Sequence, residues 1–376
     1  MFDAIVVGAG PAGATAALVM AGAGARVLVV DRAVRPRAGG SSLLSTSART
    51  MLATLGVSVP PASHHVRACP VTSARTGRSR LVELDATIVA RDRLDEAIVA
   101  SAAAAGARIE RGWFVRRPLV AERAIVRGVD MRRGAMRLRI PALVVVAADG
   151  ARSSLVRAAG LAAGTVRHRT WSTLLDTPDR PATAELFLGR RGWCRLLPAD
   201  GGVRFVLSTP QTIAPRDALT AARALGPVLA RRLDGSRVIE PWHRTRARTV
   251  SRAGVPGLLL AGDAAGVGSA AGDGIAAAIA GGLLAARVAL RTIETGSLDG
   301  SLDELAAARA MWIDPALDVG RRLDRLIGAD DVVSMALAVA GAARRRAEEL
   351  VRHWAAWPGR LESLVHRGAM MDVPRT

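Results

Sequence analysis

Phe2-Asp3-Ala4-Ile5-Val6-Val7-Gly8-Ala9-Gly10-Pro11-Ala12-Gly13 opens the chain, an apolar run that breaks into glycines spaced Gly-x-Gly-x-x-Gly. Residues 12–23 continue as helix, and Arg26-Val27-Leu28-Val29-Val30 forms a second strand ending at Asp31. Strand, glycine turn, helix and strand within about thirty residues make a β-α-β unit. Each glycine has its own task there. Gly8 permits the tight turn, Gly10 lets backbone approach a pyrophosphate, and Gly13 lets the helix pack closely. Pro11 and Ala12 begin the helix, whose unpaired N–H groups can face the phosphates. Asp31, with Arg32 beside it, is placed to accept hydrogen bonds from an adenosine ribose. Its charge would repel a 2′-phosphate, which argues against NADP as the nucleotide held here.

Two later segments repeat the theme. Ala148-Asp149-Gly150-Ala151-Arg152-Ser153 follows a buried strand at 143–147, and Leu260-Ala261-Gly262-Asp263-Ala264-Ala265 ends a strand at 257–260. An acidic residue beside glycine at a strand's C-terminal end can reach a ligand in the crevice. Asp263 is the candidate for the ribityl hydroxyls of a flavin. Further on, Gly272-Asp273-Gly274-Ile275 opens a long helix at 274–292. Its first N–H groups can face flavin N1 and the C2 carbonyl, favouring the anionic reduced ring by roughly 0.3–2 kcal/mol. The three segments, in this order, predict FAD bound along its whole length.

The set resembles the FAD-dependent group that includes para-hydroxybenzoate hydroxylase, geranylgeranyl reductases and tryptophan halogenases. Arg91-Asp92-Arg93-Leu94-Asp95 is similar to the group's Arg-x-x-Phe-Asp helix start, and the resemblance implies that Arg91 contacts FAD. Arg35-Pro36-Arg37 with Gly40-Ser41-Ser42-Leu43, and Gly192-Trp193-Cys194-Arg195-Leu196-Leu197-Pro198, look like two motifs of one branch. That branch holds halogenase-like monooxygenases and flavoproteins that hydroxylate a peptidyl tryptophan during quinone-cofactor maturation. Ser41 stands where the branch has glutamate, and Gly268-Ser269-Ala270-Ala271-Gly272 lacks the usual Asp-Pro.

The resemblance implies an FAD-dependent oxidoreductase, with a monooxygenase acting through a flavin C4a-hydroperoxide as the leading expectation. Its substrate would be aromatic or peptide-borne, with Trp193 and Arg195 as the pocket candidates. A geranylgeranyl-type reductase is the alternative, and a degenerate flavoprotein serving as a maturation partner a third, motivated by the altered loop. Halogenation is disfavoured because the group's halogenases use a lysine and this chain has none. NAD(P)H, docking transiently, or a separate flavin reductase would supply electrons, since no second glycine-rich β-α-β unit appears.

Composition bounds the rest. The formal charge of +19 comes from arginine alone, in a sequence without Lys, Asn or Tyr, so a GC-rich coding bias explains it and no nucleic-acid motif accompanies it. No apolar run reaches the length of a membrane span, the longest being 274–286. With no signal-peptide pattern and only Cys69 and Cys194, the chain reads as cytoplasmic. No residue cluster has metal-site spacing. His64 and His65 read as solvated, Cys194 as a packed thiol near the flavin, and His353, Trp354 and Trp357 as C-terminal packing.

The expected architecture is α/β: a three-layer Rossmann-like FAD-binding domain (1–66, 91–168 and 250–297), an inserted β-rich substrate lobe (67–90 and 169–249) and a helical C-terminal region (298–376). Which of Trp171, Leu174, Phe187, Trp193, Arg195 and Phe205 face the cavity depends on strand register.

Overall fold

The structure, a computed structural model, describes residues 1–35, 41–267 and 274–314. Gly272 and the rest of the 268–272 loop, Arg37, Gly40 and residues beyond 314 lie outside them, including His353, Trp354 and Trp357.

The chain folds as α/β in three layers. The central sheet has the parallel order Leu258–Leu260, Met136–Ala147, Phe2–Val7, Val27–Asp31, Arg108–Arg111. Within it the stretches 4–7, 27–30, 142–147 and 258–260 are apolar on both faces, as parallel strands covered on both sides require. Helix Pro11–Gly22 packs against both Arg91–Ala104 and Gly274–Thr295, and it and Gly274–Thr295 also lie on this sheet. Strands Phe114–Val120 and Val126–Arg133 pair with the long Met136–Ala147 strand as an antiparallel meander. Val115, Val129 and Met131 of that meander join the same buried core.

The central helices meet almost at backbone contact. A Cβ on Gly282 would lie 2.2 Å from the Ala12 carbonyl oxygen, and one on Gly262 would lie 2.7 Å from the Ala12 Cβ. Small residues there draw Gly274–Thr295 onto the turn that starts Pro11–Gly22.

The second sheet is nine-stranded. Its order runs Arg237–Val238, Ala162–Asp176, Gly202–Thr209, Gly192–Ala199, Glu185–Gly189, His64–Ser73, Ser79–Ala90 and Ser41–Ser45, with His243–Val250 also on Ala162–Asp176. One face packs under helices Ala218–Arg223 and Pro227–Arg232, burying Trp171, Phe187, Cys194, Phe205 and Leu229. Alternation along a strand then sends Trp193 and Arg195 to the other face.

Local breaks differ from the sequence pattern in two places. The segment 108–115 is two strands, because Gly112 turns the chain at φ 79°. The segment 216–233 holds two helices, Ala218–Arg223 and Pro227–Arg232, the second begun by Pro227, which lacks the N–H to continue the first.

The helix predicted over 274–292 extends to Thr295, and among the described residues it alone is long and apolar enough to cross a membrane. Its most apolar stretch is 78% buried inside the fold, as a core helix would be.

Candidate functional site

The glycine turn is shaped by what surrounds it. Gly8 has φ +106°, and a Cβ there would lie 2.3 Å from the Ala148 carbonyl oxygen. A Cβ on Gly13 would lie 1.9 Å from the Gly8 carbonyl oxygen. These two positions admit no side chain because strand, turn and helix already touch. Gly10 is different: nothing lies within 4 Å of where its Cβ would be. Its missing side chain opens space for a ligand.

The helix Pro11–Gly22 has Gly10 as N-cap and so no side chain to satisfy its first turn. The N–H groups that every helix leaves unpaired at its start are therefore available to an anion. Asp31 holds the loop in place: Oδ2 accepts from Ala9 N at 2.7 Å and Oδ1 from Ala33 N at 2.7 Å. The carboxylate thus orients the turn, and its remaining lone pairs are what a ribose hydroxyl would meet.

Around this turn opens a cavity of about 480 Å³. Of the residues predicted from sequence, Gly8, Gly10, Pro11, Ala12, Asp31, Arg32, Arg91, Asp149, Trp193, Arg195, Gly262, Asp263, Gly274 and Ile275 all line it. Gly13 sits behind the wall, where it supports the turn by close packing. Arg91 begins the Arg91–Ala104 helix, and its Nε donates to Asp95 Oδ1 at 2.7 Å, one turn on. That bond fixes the guanidinium at the cavity edge.

Asp149 Oδ2 accepts from Ser154 N at 2.9 Å, so the residue tethers the helix Ser154–Ala158. Its Oδ1 is buried without a hydrogen-bond partner. Burial pushes this carboxyl above the usual range, against opposing hydrogen bonds from the Ser153–Ser154 turn. A buried, unmatched acceptor in a cavity wall is costly unless a ligand hydroxyl or N–H meets it.

The opposite wall is the second sheet. Three rows cross its strands on one face. They are Thr170, Ser208 and Trp193; then His243, Ser172, Val206 and Arg195; then Leu174, Arg204 and Leu197. Seven of these ten residues line the cavity: Thr170, Trp193, His243, Ser172, Val206, Arg195 and Arg204. Trp171, Phe187 and Phe205 face the other way. Cys194 does too, and burial pushes its thiol far up, so it is a packed thiol away from the cavity.

Sequence reasoning missed Arg204, which is 4% exposed. One signal was available: a lone charge inside the apolar strand Gly-Val-Arg-Phe-Val-Leu, where buried arginine is rare without a purpose. His243, Ser172 and Thr170 carried no such mark. Among the described residues no group of His, Cys, Asp and Glu could hold a metal ion.

A family model described as an FAD binding domain matches residues 1–281. The chain belongs to that family. The flavoprotein is 29% identical over 368 residues to a digeranylgeranylglycerophospholipid reductase of Methanosphaerula palustris, covering 86% of this chain and 84% of that one. With reductase 1 of the same name from Methanopyrus kandleri it shares 33% over 163 residues, 43% of this chain and 42% of that one. The match thus spans less than half of that relative's length.

Among solved structures, a geranylgeranyl bacteriochlorophyll reductase-like protein from Thermoplasma acidophilum superposes with TM-score 0.70 at 22% identity, covering 96% of this chain and 99% of that one. Aklavinone-11 hydroxylase, in a ternary complex with FAD and aklavinone, gives TM-score 0.70 at 20% identity, covering 88% and 70%. These likenesses concern the fold. The open side of Gly10, the uncapped helix start and the unmatched Asp149 Oδ1 fit the family's cofactor.

Proposed function

We propose that this flavoprotein is a monooxygenase that hydroxylates an aromatic or peptide-borne substrate. The observation that carries the reading is one cavity, lined without interruption from the dinucleotide turn to Trp193, Val206 and Arg195 on the second sheet. FAD supplies the redox chemistry when bound, taking up two electrons and, once reduced, reacting with dioxygen. The residues that would hold it are Gly8, Gly10, Asp31, Arg91, Asp149, Asp263, Gly274 and Ile275.

What the chain itself provides is position and dryness. Trp193 is 6% exposed and presents its ring beneath the Arg195 guanidinium, which lies 5.8 Å from the ring centroid. Val206 and Leu43 add apolar surface around it. Such a wall excludes water from the reacting carbon, and a packed wall needs no acid–base side chain to do so. In the overall reaction, one oxygen atom of dioxygen enters a substrate C–H bond. The other leaves as water, with two electrons from NAD(P)H or a flavin reductase.

A second reading is a reductase of the geranylgeranyl kind, favoured by the relatives that carry that name. Product mass separates them. The FAD-loaded protein, given NADPH, labelled dioxygen and a panel of phenolic, indolic and polyprenyl compounds, is expected to return a product heavier by one labelled oxygen atom. A product heavier by two hydrogens would replace the first reading with the second. Neither product, with the flavin reduced and reoxidised in every case, would overturn both.

A further inference from the structure

The family match ends at residue 281, yet the chain beyond it returns to the cofactor cavity from behind. Helix Ser301–Trp312 packs on Gly274–Thr295. Leu305 is buried in the central core, and Leu302 Cδ2 lies 3.0 Å from where a Gly254 Cβ would be. Glu304 pairs with Arg287 and Arg291 of the longer helix. So seated, the helix brings Arg309 to the short helical turn Gly262–Ala265. Arg309 donates through Nη1 to the Ala265 carbonyl oxygen, and its Nε donates to Asp314 Oδ1 at 3.0 Å.

The turn has a physical need for that donor. A helix end leaves its last carbonyls without partners inside the helix. Gly266, at φ 73°, closes this one: its N–H donates to the Asp263 carbonyl at 3.1 Å, and Val267 N to that of Gly262 at 3.3 Å. The buried Ala265 carbonyl is left to the Arg309 guanidinium, a cation at the negative end of the turn. Ile313 adds a second support. Its Cδ1 lies 3.7 Å from where a Gly281 Cβ would be, and Gly262 N lies 3.4 Å from the same point. The helix end therefore backs the turn at Ala265 directly and at Gly262 through Gly281. Asp263 sits between these two points and lines the cavity, whereas Arg309 does not reach it.

We propose that Arg309 is a positioning residue for the cofactor. It holds the Gly262–Ala265 turn so that Asp263 meets the ribityl end of FAD, and Asp314 orients its guanidinium. The proposal needs FAD in the cavity but not the proposed reaction. Glycines at both ends of the turn, Gly262 and Gly266, leave its backbone free to take many conformations. A charge-assisted bond largely shielded from water removes that freedom before the ligand arrives, which lowers the cost of binding. The gain falls on one end of the cofactor only, because the Gly8–Gly13 turn serves the pyrophosphate independently.

The test compares FAD with ADP, which has the adenosine and pyrophosphate but neither ribityl chain nor ring. Each is titrated calorimetrically into the flavin-free full chain, and visible circular dichroism of the loaded protein reports how the ring is held. Arg309→Met keeps the apolar stem and removes every donor. It should weaken FAD about tenfold, equivalent to about 1.4 kcal/mol, and leave ADP within about twofold. The flavin dichroism should change with it. Arg309→Lys can still donate to Ala265 and should restore part of the loss. Glu304→Gln loosens the same helix away from the turn, and should leave both ligands within about twofold.

Asp314→Asn gives an independent reading should Arg309→Met fail to fold, because it disturbs the guanidinium without removing it. That variant should weaken FAD about threefold and ADP not at all. A loss shared equally by FAD and ADP, or matched by Glu304→Gln, would mean that the helix merely supports the fold and would overturn the proposal. Unchanged FAD affinity in Arg309→Met or, where that variant does not fold, in Asp314→Asn would overturn it too. A chain that shows the FAD-selective loss yet transforms no substrate would instead overturn the proposed reaction alone.

Discussion

The two walls of the cavity use different chemical material. On the dinucleotide side the ligand-facing groups are mostly backbone: a turn stripped of side chains, an uncapped helix start, and carboxylates that orient amides. On the sheet side they are side chains, set by which face of a strand each occupies. Backbone recognition demands particular residues at fixed spacing, so it leaves a pattern that tolerates little change. Side-chain recognition demands only that a residue sit on the correct face, so the same wall can be rewritten for another substrate. One fold can therefore keep one cofactor and serve many reactions.

The largest effect expected from this contrast is at Gly13. Any Cβ there collides with the Gly8 carbonyl oxygen, which belongs to backbone and cannot yield. Gly13→Val should cost about 5 kcal/mol or more, beyond the about 1–3 kcal/mol of ordinary overpacking, and leave little folded protein. Gly10→Ala meets nothing in the protein. It should melt at the parent temperature, within about 0.5 kcal/mol, while losing most of its flavin absorbance after gel filtration. Thermal melts and bound-flavin spectra on the two variants separate architecture from recognition. If Gly10→Ala bound FAD as the parent does, the open space beside it would not be the phosphate path.

A somewhat smaller effect probes the two faces of the second sheet. Phe205 is fully buried, edge-on to Trp242 at 5.7 Å, on the face away from the cavity. Phe205→Ala should cost about 3–5 kcal/mol as a core cavity. It should leave FAD affinity unchanged where the protein remains folded. Denaturant unfolding gives the first quantity and titration the second. Loss of FAD affinity in step with stability would mean that the two faces are not separable.

How much of this was legible follows the same division. The Gly8–Gly13 turn, Asp149 and Gly262-Asp263 could be read directly, because their requirements are local and each falls at the end of an apolar strand. The α/β class followed from those strands. The sheet wall could not be read. Trp171, Trp193 and Phe205 look alike in sequence, and alternation says only that Trp193 and Cys194 face oppositely, not which of them meets the ligand. That choice is made by helices Ala218–Arg223 and Pro227–Arg232, which cover one face and leave the other to the cavity. Arg204 was overlooked for the same reason, since its partner Glu240 arrives from a loop remote in sequence. Gly112 and Pro227 acted as punctuation inside runs that otherwise looked continuous.

The smallest effect expected is a pH dependence set by Asp149. Burial raises its carboxyl above the ordinary value of 3.8, so the folded protein holds this proton more tightly than the unfolded chain does. Folding stability contributed by this group therefore falls as pH rises from 3.8 toward the folded value, and the penalty is complete above it. Asp149→Asn removes the ionisation but keeps an oxygen able to accept from Ser154 N. The ligand-free variant should then melt at or above the parent temperature at neutral pH, with the difference vanishing below pH 3.8. Bound FAD should reverse the order at neutral pH, because a hydroxyl or N–H donated to the unmatched Oδ1 favours the charged form that only the parent has. Melting curves across pH, with and without FAD, test both halves. A variant less stable than the parent in the absence of flavin would show that the Asp149 carboxylate serves the fold rather than the ligand.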